Sequence, residues 1–311
     1  MSRIESRAKN DLFVSGVSMD EVTDEANISR SMVMGTLDEL ASTAEYATFY
    51  NLLIGSERVV ELDGGRRMVT LYPSDFVTIE QRIGLGMLAT ACFYQPEGEA
   101  MGLRGTSVID SVHGKVRILL NGDNPEALIG EKVFDWADST KIYYLDILGV
   151  VPESRGRGAG GVLGKASLNE VLDSGVGRVI YVSRTQNPML VGAVRRLLPE
   201  GVGLMPFWEK PDDEVKEAVN WLVESGKISR NTRPDSSFNA DESFLAWGAY
   251  GRVGDGSTWE NMLRGYEKEI DWEGEIAMAM SEYLKSLGTS WDEVLVRGHA
   301  FVIAATIDKN E

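Results

Sequence analysis

The hydrophobic pattern is most regular between residues 141 and 198, where two apolar runs alternate with two amphipathic segments. Ile142 to Val151 is a nearly continuous run rich in Tyr, Ile and Val, which is typical of a buried strand. Arg178 to Ser183 predicts a second strand. Between them, Gly161 to Ser174 carries apolar residues at helical spacing and predicts a helix that ends at the following glycines.

The residues after the second strand predict another helix. Asn187 is a suitable N-cap, Pro188 suits the first helical position, and Pro199 ends the helix. The order strand, glycine-rich turn, helix, strand, helix describes a β-α-β unit with two parallel strands and a right-handed crossover.

Elsewhere the pattern predicts shorter elements. Residues 18–53 are expected to be helical, which we interpret as an N-terminal extension covering residues 1–55. The main domain is expected to span residues 56–311, with helical insertions at about 205–240 and 255–290. Short strands mixed with a helix are predicted at Val59–Val60, Met68–Leu71, Val77–Ile83 and Leu88–Phe93, followed by a hairpin of Thr106–Ile109 with Lys115–Leu120. Helices are predicted within 211–226 and from Ser257 to Leu287. Strands are predicted at Phe244–Tyr250 and Val294–Ile307.

Charge and composition narrow the class of protein. The 311 residues carry a net charge of −17, so nonspecific binding to nucleic acid or to anionic membranes is not expected. The single cysteine, Cys92, excludes an intrachain disulfide. No apolar run is long enough for a secretory signal or a membrane-spanning helix, so we predict a soluble protein of the reducing cytoplasm.

A glycine-rich segment follows the first strand, in the sequence Val150-Val-Pro-Glu-Ser-Arg-Gly-Arg-Gly-Ala-Gly-Gly161. Glycines let backbone N–H groups converge, and the following helix adds the positive end of its dipole, so such a segment can bind a diphosphate. From Arg155 to Arg196 there are seven basic residues and two acids, a local charge of +5 in an acidic protein. The alternative is that the glycines only tighten a strand-to-helix turn.

The spacing Gly156-x-Gly158-x-x-Gly161 also matches the dinucleotide-binding fingerprint. That fingerprint places its glycines directly at the strand end and an acid after the second strand. Here Pro152 to Arg155 intervene, and the second strand ends in Ser183-Arg184-Thr185. A nicotinamide-dependent oxidoreductase is therefore the third of our hypotheses.

The same residues resemble the GNAT superfamily of acyl-CoA-dependent N-acyltransferases, whose signature is a strand ending V-x-P-x-x-R that continues as R-x-x-G-x-G/A into a helix. The resemblance covers Tyr143 to Leu198 well and the preceding strands loosely. It implies an α/β (α+β) fold with a mixed, mainly antiparallel sheet, one splayed parallel pair and helices on both faces. It also implies acetyl-CoA or another acyl-CoA as co-substrate, no metal, and a small-molecule or protein amine as acceptor.

The resemblance also assigns site residues. Backbone groups of Leu148 and Val150 are expected to pair with the pantetheine arm, with the Leu148 N–H able to polarise the thioester carbonyl. Asn187 is expected to reach the pantetheine as well. The residues expected to hold the pyrophosphate are Arg155, Gly156, Arg157, Gly158, Ala159, Gly160 and Gly161.

The acid that protonates the departing thiolate is not evident. Many GNAT members place a Tyr seven residues after the Asn, where this chain has Val194. Tyr181, Ser183 and water are the substitutes.

By strand alternation, Tyr144 and Asp146 are expected to share a face with Leu148 and Val150. Tyr144, Asp146 and the Leu148 N–H are thus the candidate catalytic groups, with the Asp146 carboxylate relaying the amine's proton. The alternative is that Asp146 caps a loop or pairs with an arginine.

The remaining reactive residue types point to no second site. We interpret His113 as a turn residue, His299 as a strand-end residue and Cys92 as a small buried side chain. The leading hypothesis is acetyl transfer from acetyl-CoA to an amine. The alternative is a catalytically inactive GNAT-fold module that binds CoA or a partner protein, and a homodimer is left open.

Overall fold

The computed structural model describes residues 58–72, 114–122, 124–137, 139–225, 243–247 and 270–309, with the single residues Leu88, Cys92, Phe238 and Ala240. Its strands and helices are β1 (Arg58–Leu62), β2 (Arg66–Leu71), β3 (Lys115–Asn121), β4 (Asn124–Ala137), β5 (Thr140–Val150), α1 (Ala159–Asp173), β6 (Arg178–Thr185), α2 (Pro188–Leu197), α3 (Asp213–Glu224), β7 (Leu245–Ala246), α4 (Glu275–Ser286), α5 (Trp291–Arg297) and β8 (Ala300–Asp308).

The strands form one eight-stranded sheet in the order β1-β2-β3-β4-β5-β6-β8-β7. The chain divides into two compact units, Met1–Gly130 with Ile147–Leu163 and Glu131–Asp146 with Gly164–Glu311. The points of division fall inside β4, β5 and α1.

In the first unit, β1 and β2 form an antiparallel hairpin in which Val60 pairs with Met68. The turn uses Gly64 at φ 77° and Gly65 at φ 73°, a conformation that favours glycine. β2 continues antiparallel onto β3, and their apolar side chains Met68, Val69, Ile118 and Leu119 are buried. The strands predicted at Val59–Val60 and Met68–Leu71 are confirmed.

β3 confirms the strand predicted at Lys115–Leu120, and its two sides are occupied by β2 and β4. The partner expected for it, residues 106–109, lies outside the described residues. β4 was not predicted, although it is 14 residues long. Its apolar run is interrupted by charged side chains that are buried in the fold: Glu126, Glu131 and Lys132.

In the second unit, β5 and β6 are parallel, as predicted, from Thr140 opposite Arg178 to Leu145 opposite Ser183. Helices cover both faces of this pair. On one face the Tyr143 hydroxyl lies 3.0 Å from Ser167 Oγ of α1. On the other, the buried side chains of β5 and β6 pack against those of α3: Ile142, Tyr144, Ile180 and Val182 against Val215, Ala218, Val219 and Leu222.

The C-terminal residues complete the sheet. β8 pairs antiparallel with the whole length of β6, and the first two residues of β8 also pair with β7. The strand predicted at Val294–Ile307 is wrong at its start, because residues up to Arg297 are the helix α5. Ser290 Oγ accepts the Glu293 N–H at 3.3 Å, and Gly298 at φ 65° ends the helix.

The predicted fold class is confirmed: the sheet is mixed and mainly antiparallel, with one parallel pair and helices on both faces. The helices predicted at residues 18–53, the segment 77–83 and the start of the helical region at Ser257 lie outside the described residues. Within the described part of the chain, no helix combines the length and apolar character needed to cross a membrane.

Candidate functional site

The segment after β5 forms a short turn and then the start of α1. Pro152–Ser154 is one turn of 3₁₀ helix, and the following backbone has Gly156 at φ 73° and Gly158 at φ 78°. Within the turn the Arg155 N–H donates to Pro152 O at 3.2 Å, and the Arg157 N–H donates to Ser154 O at 3.3 Å. These two amides are therefore occupied, which corrects the prediction that they bind the pyrophosphate.

The other amides of the segment are differently placed. In the described part of the chain, no backbone hydrogen bond is donated by the amides of Gly156, Gly158, Ala159, Gly160 and Gly161. Gly156 and Gly158 are exposed, Gly160 and Gly161 are half-buried, and Ala159 is buried, so the backbone is open to solvent at the four glycines only. Unpaired N–H groups at the start of a helix favour an anion. We call residues 155–161 the glycine loop.

Two glycines at the start of α1 differ in the space around them. A Cβ on Gly160 would lie 3.1 Å from Val150 Cγ2 and 3.6 Å from Leu148 Cδ1. The helix therefore packs closely on the end of β5 at this residue. At Gly161 a Cβ would meet nothing within 4 Å, and its φ is not positive. Gly161 thus tolerates a side chain that points into open space.

Arg155 anchors the loop through its side chain. Its Nε donates to Val150 O at 3.4 Å, and its Nη2 donates to Cys92 O at 3.2 Å. Arg157, by contrast, is exposed. Neither its backbone nor the Arg155 backbone offers a free donor, so an anion would meet the Arg157 side chain and the amides of the glycines.

The predicted basic segment is partly neutralised by acids distant in the sequence. Arg178 forms ion pairs with Glu214 at 2.5 Å and Asp308 at 2.7 Å. Arg195 pairs with Glu275 at 2.8 Å. The local count of +5 therefore overstates the positive charge of this region, and the backbone amides matter more than the count suggested.

Asp146 lies on β5 in the second unit and is mostly buried. Its Oδ2 lies 3.5 Å from Lys132 Nζ, and both side chains are at most 12% exposed. Lys132 Nζ also lies 6.0 Å from the centroid of the Tyr144 ring. Asp146 therefore pairs with a lysine. The non-catalytic alternative in the sequence analysis was a loop cap or a pair with an arginine.

Tyr144 belongs to the second unit, whereas Leu148 and Val150 belong to the first. Tyr144 packs in the buried cluster with α3, whereas the neighbouring Tyr143 contacts α1. Leu148 and Val150 contact Gly160 of α1. That these residues share one face with Asp146 stays a prediction.

Asn187 performs the capping role that its position predicted. Its Oδ1 accepts the Met189 N–H at 2.8 Å at the start of α2. A hydrogen bond from this side chain to a ligand would therefore come from Nδ2. The parallel ladder of β5 and β6 stops at Leu145 and Ser183, although β5 continues to Val150.

The two side chains considered as thiolate acids are both buried. Burial raises the pKa of the Tyr181 hydroxyl. Ser183 Oγ donates to Leu145 O at 3.0 Å. Val194 is fully buried in α2. Tyr181 and Ser183 therefore offer no exposed proton, and the Val194 side chain has no acidic proton.

One buried polar cluster was missed by the sequence analysis. The Glu131 carboxylate accepts from Ser167 Oγ, and it lies 3.0 Å from the Tyr143 hydroxyl. Burial and the neighbouring Glu131 carboxylate raise the pKa of Tyr143. The signal that could have found it is a Glu inside an otherwise apolar run.

Cys92 and His299 lie where the sequence predicted them. Burial raises the pKa of the Cys92 thiol, as expected for a small core residue. His299 is buried immediately before β8, stacked edge-on against Trp247 at 4.4 Å between ring centroids. His113 lies outside the described residues, and no group of three His, Cys, Asp or Glu in the described chain is placed to hold a metal ion.

No protein-family model and no curated protein matches the chain. Several solved structures resemble part of it, among them the following three. An aminoglycoside acetyltransferase from an uncultured soil metagenomic sample is 16% identical, with a TM-score of 0.33, over 45% of this chain and 91% of its own. A GNAT family acetyltransferase from Brucella melitensis, in complex with acetyl-CoA, is 16% identical, with a TM-score of 0.28, over 37% and 74%. Naa50 of Arabidopsis thaliana, with a bisubstrate analogue, is 14% identical, with a TM-score of 0.31, over 47% and 93%.

Proposed function

We propose that the chain is an acyl-CoA-dependent N-acyltransferase that moves an acetyl group from acetyl-CoA to an amine. The observation that carries the proposal is the glycine loop. Within the described part of the chain, the amides of its four glycines donate no backbone hydrogen bond, and these glycines are exposed or half-buried. Such a loop fits the pyrophosphate of a CoA ester, because convergent N–H groups and the helix dipole both favour an anion.

The reaction needs a donor to the oxyanion, an acceptor for the amine's proton and a proton for the thiolate. We assign the last role to water, because Tyr181 and Ser183 are buried. The amine nitrogen forms a bond to the thioester carbon, the carbon–sulfur bond breaks, the amine loses a proton and the thiolate gains one. A donor to the developing oxyanion lowers the barrier, and we assign this role to the Leu148 N–H. We assign acceptance of the amine's proton to Asp146, whose pairing with Lys132 keeps the carboxylate in place.

A second candidate function has an observation in its favour. The usual tyrosine is replaced by the buried Val194, and both Tyr181 and Ser183 are buried. A CoA-binding module without catalysis is consistent with these residues. Thiol release with a panel of amines distinguishes the two functions, because only the enzyme releases CoA from acetyl-CoA when an acceptor is added.

The first test is binding of acetyl-CoA, measured by isothermal titration calorimetry. We expect saturable binding at one site. If no saturable binding is seen at millimolar ligand, the proposal is removed in both its catalytic and its non-catalytic form.

Gly161→Glu tests where the ligand binds. A Glu at this position has open space, and a carboxylate in the first turn stabilises the helix by about 0.3–1 kcal/mol. The fold should therefore be retained, while repulsion between this carboxylate and the pyrophosphate should weaken acetyl-CoA binding about 100-fold. Gly158 is a poorer choice, because its φ of 78° makes any side chain there strained.

Gly161→Gln is the matched control, since it has nearly the same size and no charge. We expect its dissociation constant to change less than tenfold, within about 1.4 kcal/mol. Equal affinity in wild type and Gly161→Glu would place the phosphate groups elsewhere.

A further inference from the structure

A buried carboxylate outside the glycine loop contacts the turn that leads into it. Glu126 of β4 has a side chain 7% exposed, and its Oε2 lies 2.7 Å from Arg66 Nε of β2. Asn121 Nδ2 donates to the other carboxylate oxygen at 3.4 Å. A buried carboxylate is costly unless it is paired, and Arg66 supplies the pairing charge.

Glu126 also contacts both ends of the turn. The Val151 N–H donates to Glu126 O at 3.0 Å, and Ser154 Oγ lies 3.5 Å from Glu126 Oε1. Ser154 is buried, and its carbonyl accepts the Arg157 N–H of the glycine loop. Residues of three strands, β2, β3 and β4, are thus linked to the backbone that enters the loop.

Hydrogen bonds of Arg155 and Arg157 fix part of the glycine loop, but its glycines add no conformational preference of their own. Glycine populates positive and negative φ about equally, so Gly156 and Gly158 do not by themselves select the conformation in which the amides converge. Any ordering that the protein does not provide must be supplied by the ligand, and this lowers affinity. An anchor at the entrance of the loop reduces that cost.

We infer that Glu126, held by Arg66, is a positioning residue for the glycine loop and sets its affinity for phosphate-bearing ligands through Ser154. The inference rests on the proposed function. Because Arg66 balances the charge of Glu126, the pair orients the loop without repelling an anion.

The test compares two probes, CoA and phosphate-free pantetheine, by calorimetry and NMR titration. In Ser154→Ala the CoA dissociation constant should rise about threefold, because the long hydrogen bond to the carboxylate is lost. In Glu126→Gln it should rise about tenfold, because the ion pair with Arg66 is lost as well. The pantetheine dissociation constant should stay within about twofold of wild type in both variants. Ser154→Thr keeps the hydroxyl and should restore CoA affinity.

Two controls separate positioning from loss of folding. Arg67→Ala removes the neighbouring arginine, which donates to Gly122 O, and should leave the CoA dissociation constant unchanged. Trypsin cleavage after the exposed Arg157 should be faster in Ser154→Ala and Glu126→Gln than in Arg67→Ala.

Three results would overturn the inference. Unchanged CoA affinity in Ser154→Ala and Glu126→Gln excludes the role. Equal weakening of CoA and pantetheine shows a general loss of structure instead. If wild-type protein binds no CoA at all, the proposed function fails and the inference fails with it, whereas the first two results leave the proposed function intact.

Discussion

Two tyrosines of the parallel strand pair lie side by side in the core, with 5.7 Å between the ring centroids of Tyr143 and Tyr181. Burial raises the pKa of both hydroxyls, and the Glu131 carboxylate raises that of Tyr143 further. Both residues therefore stay neutral in the folded protein at alkaline pH, while the same residues ionise in the unfolded chain near pH 10.

The sign of the resulting pH dependence follows from linkage. A group whose pKa is raised by folding contributes stability that is complete below its unfolded pKa and is lost as the pH rises towards its folded pKa. Above about pH 10, each buried tyrosine should lower the free energy of unfolding by about 1.4 kcal/mol per pH unit.

Tyr181→Phe removes one such contribution. We expect the plot of unfolding free energy against pH, measured by urea titration between pH 7 and 11, to be shallower in the variant by that amount above pH 10. Parallel curves for wild type and Tyr181→Phe would contradict the assignment, and the values at pH 7 to 9 provide the baseline.

At the residue scale, sequence reasoning recovered the roles that depend on neighbours along the chain. Asn187 caps α2 as its place before Pro188 predicted. The pairing of Asp146 with Lys132 could not be found, because Lys132 belongs to a strand that the apolar pattern did not predict. Likewise the use of the Arg155 and Arg157 amides within their own turn depends on backbone conformation, which a motif does not specify.

At the scale of elements, the cap of α2 can be separated from any ligand contact of Asn187. Asn187→Ala removes the acceptor for the Met189 N–H and should destabilise the protein by about 1 kcal/mol. Asn187→Asp keeps an acceptor at the helix start and should retain stability. Because Asp has no Nδ2, it should still weaken acetyl-CoA binding if Asn187 donates to the pantetheine arm.

Urea unfolding and calorimetry on these two variants give the answer. An Asp variant that is both as stable and as tightly binding as wild type would restrict Asn187 to capping. An Ala variant of unchanged stability would contradict the capping role.

The elements that the sequence predicted well are those with local signals. Apolar runs found β5 and β6, apolar residues at helical spacing found α1 and α3, and the capping residue Asn187 found α2. β4 was missed because Glu126, Glu131 and Lys132 interrupt its apolar pattern, and their burial depends on partners from other elements. The start of α5 was missed because four apolar or aromatic residues before Gly298 look like a strand, although Ser290 and Glu293 form a helix-start signal.

At the scale of the whole molecule, charge acts against adventitious binding. The chain carries −17 overall, and acids distant in sequence pair with Arg178 and Arg195 of the segment that counts as basic. Counting charges along the chain could not reveal this neutralisation, because it arises only when α3, α4 and β8 are in place. Polyanions should therefore bind only where local donors outweigh the general repulsion.

Because the negatively charged chain repels polyanions in general, a rise in the free energy of unfolding on adding an anionic ligand reports specific binding. A ligand that binds only the folded state at 100 times its dissociation constant raises the free energy of unfolding by about 2.7 kcal/mol. We expect acetyl-CoA and CoA to do so in urea titrations at pH 7.5. NADH and tripolyphosphate, at the same concentration, should have less than a quarter of that effect, since neither matches the loop and the pantetheine strand together.

Gly161→Glu should abolish the stabilisation by CoA, whereas Gly161→Gln should retain most of it. Stabilisation by NADH alone would return the dinucleotide interpretation of the glycine spacing to first place.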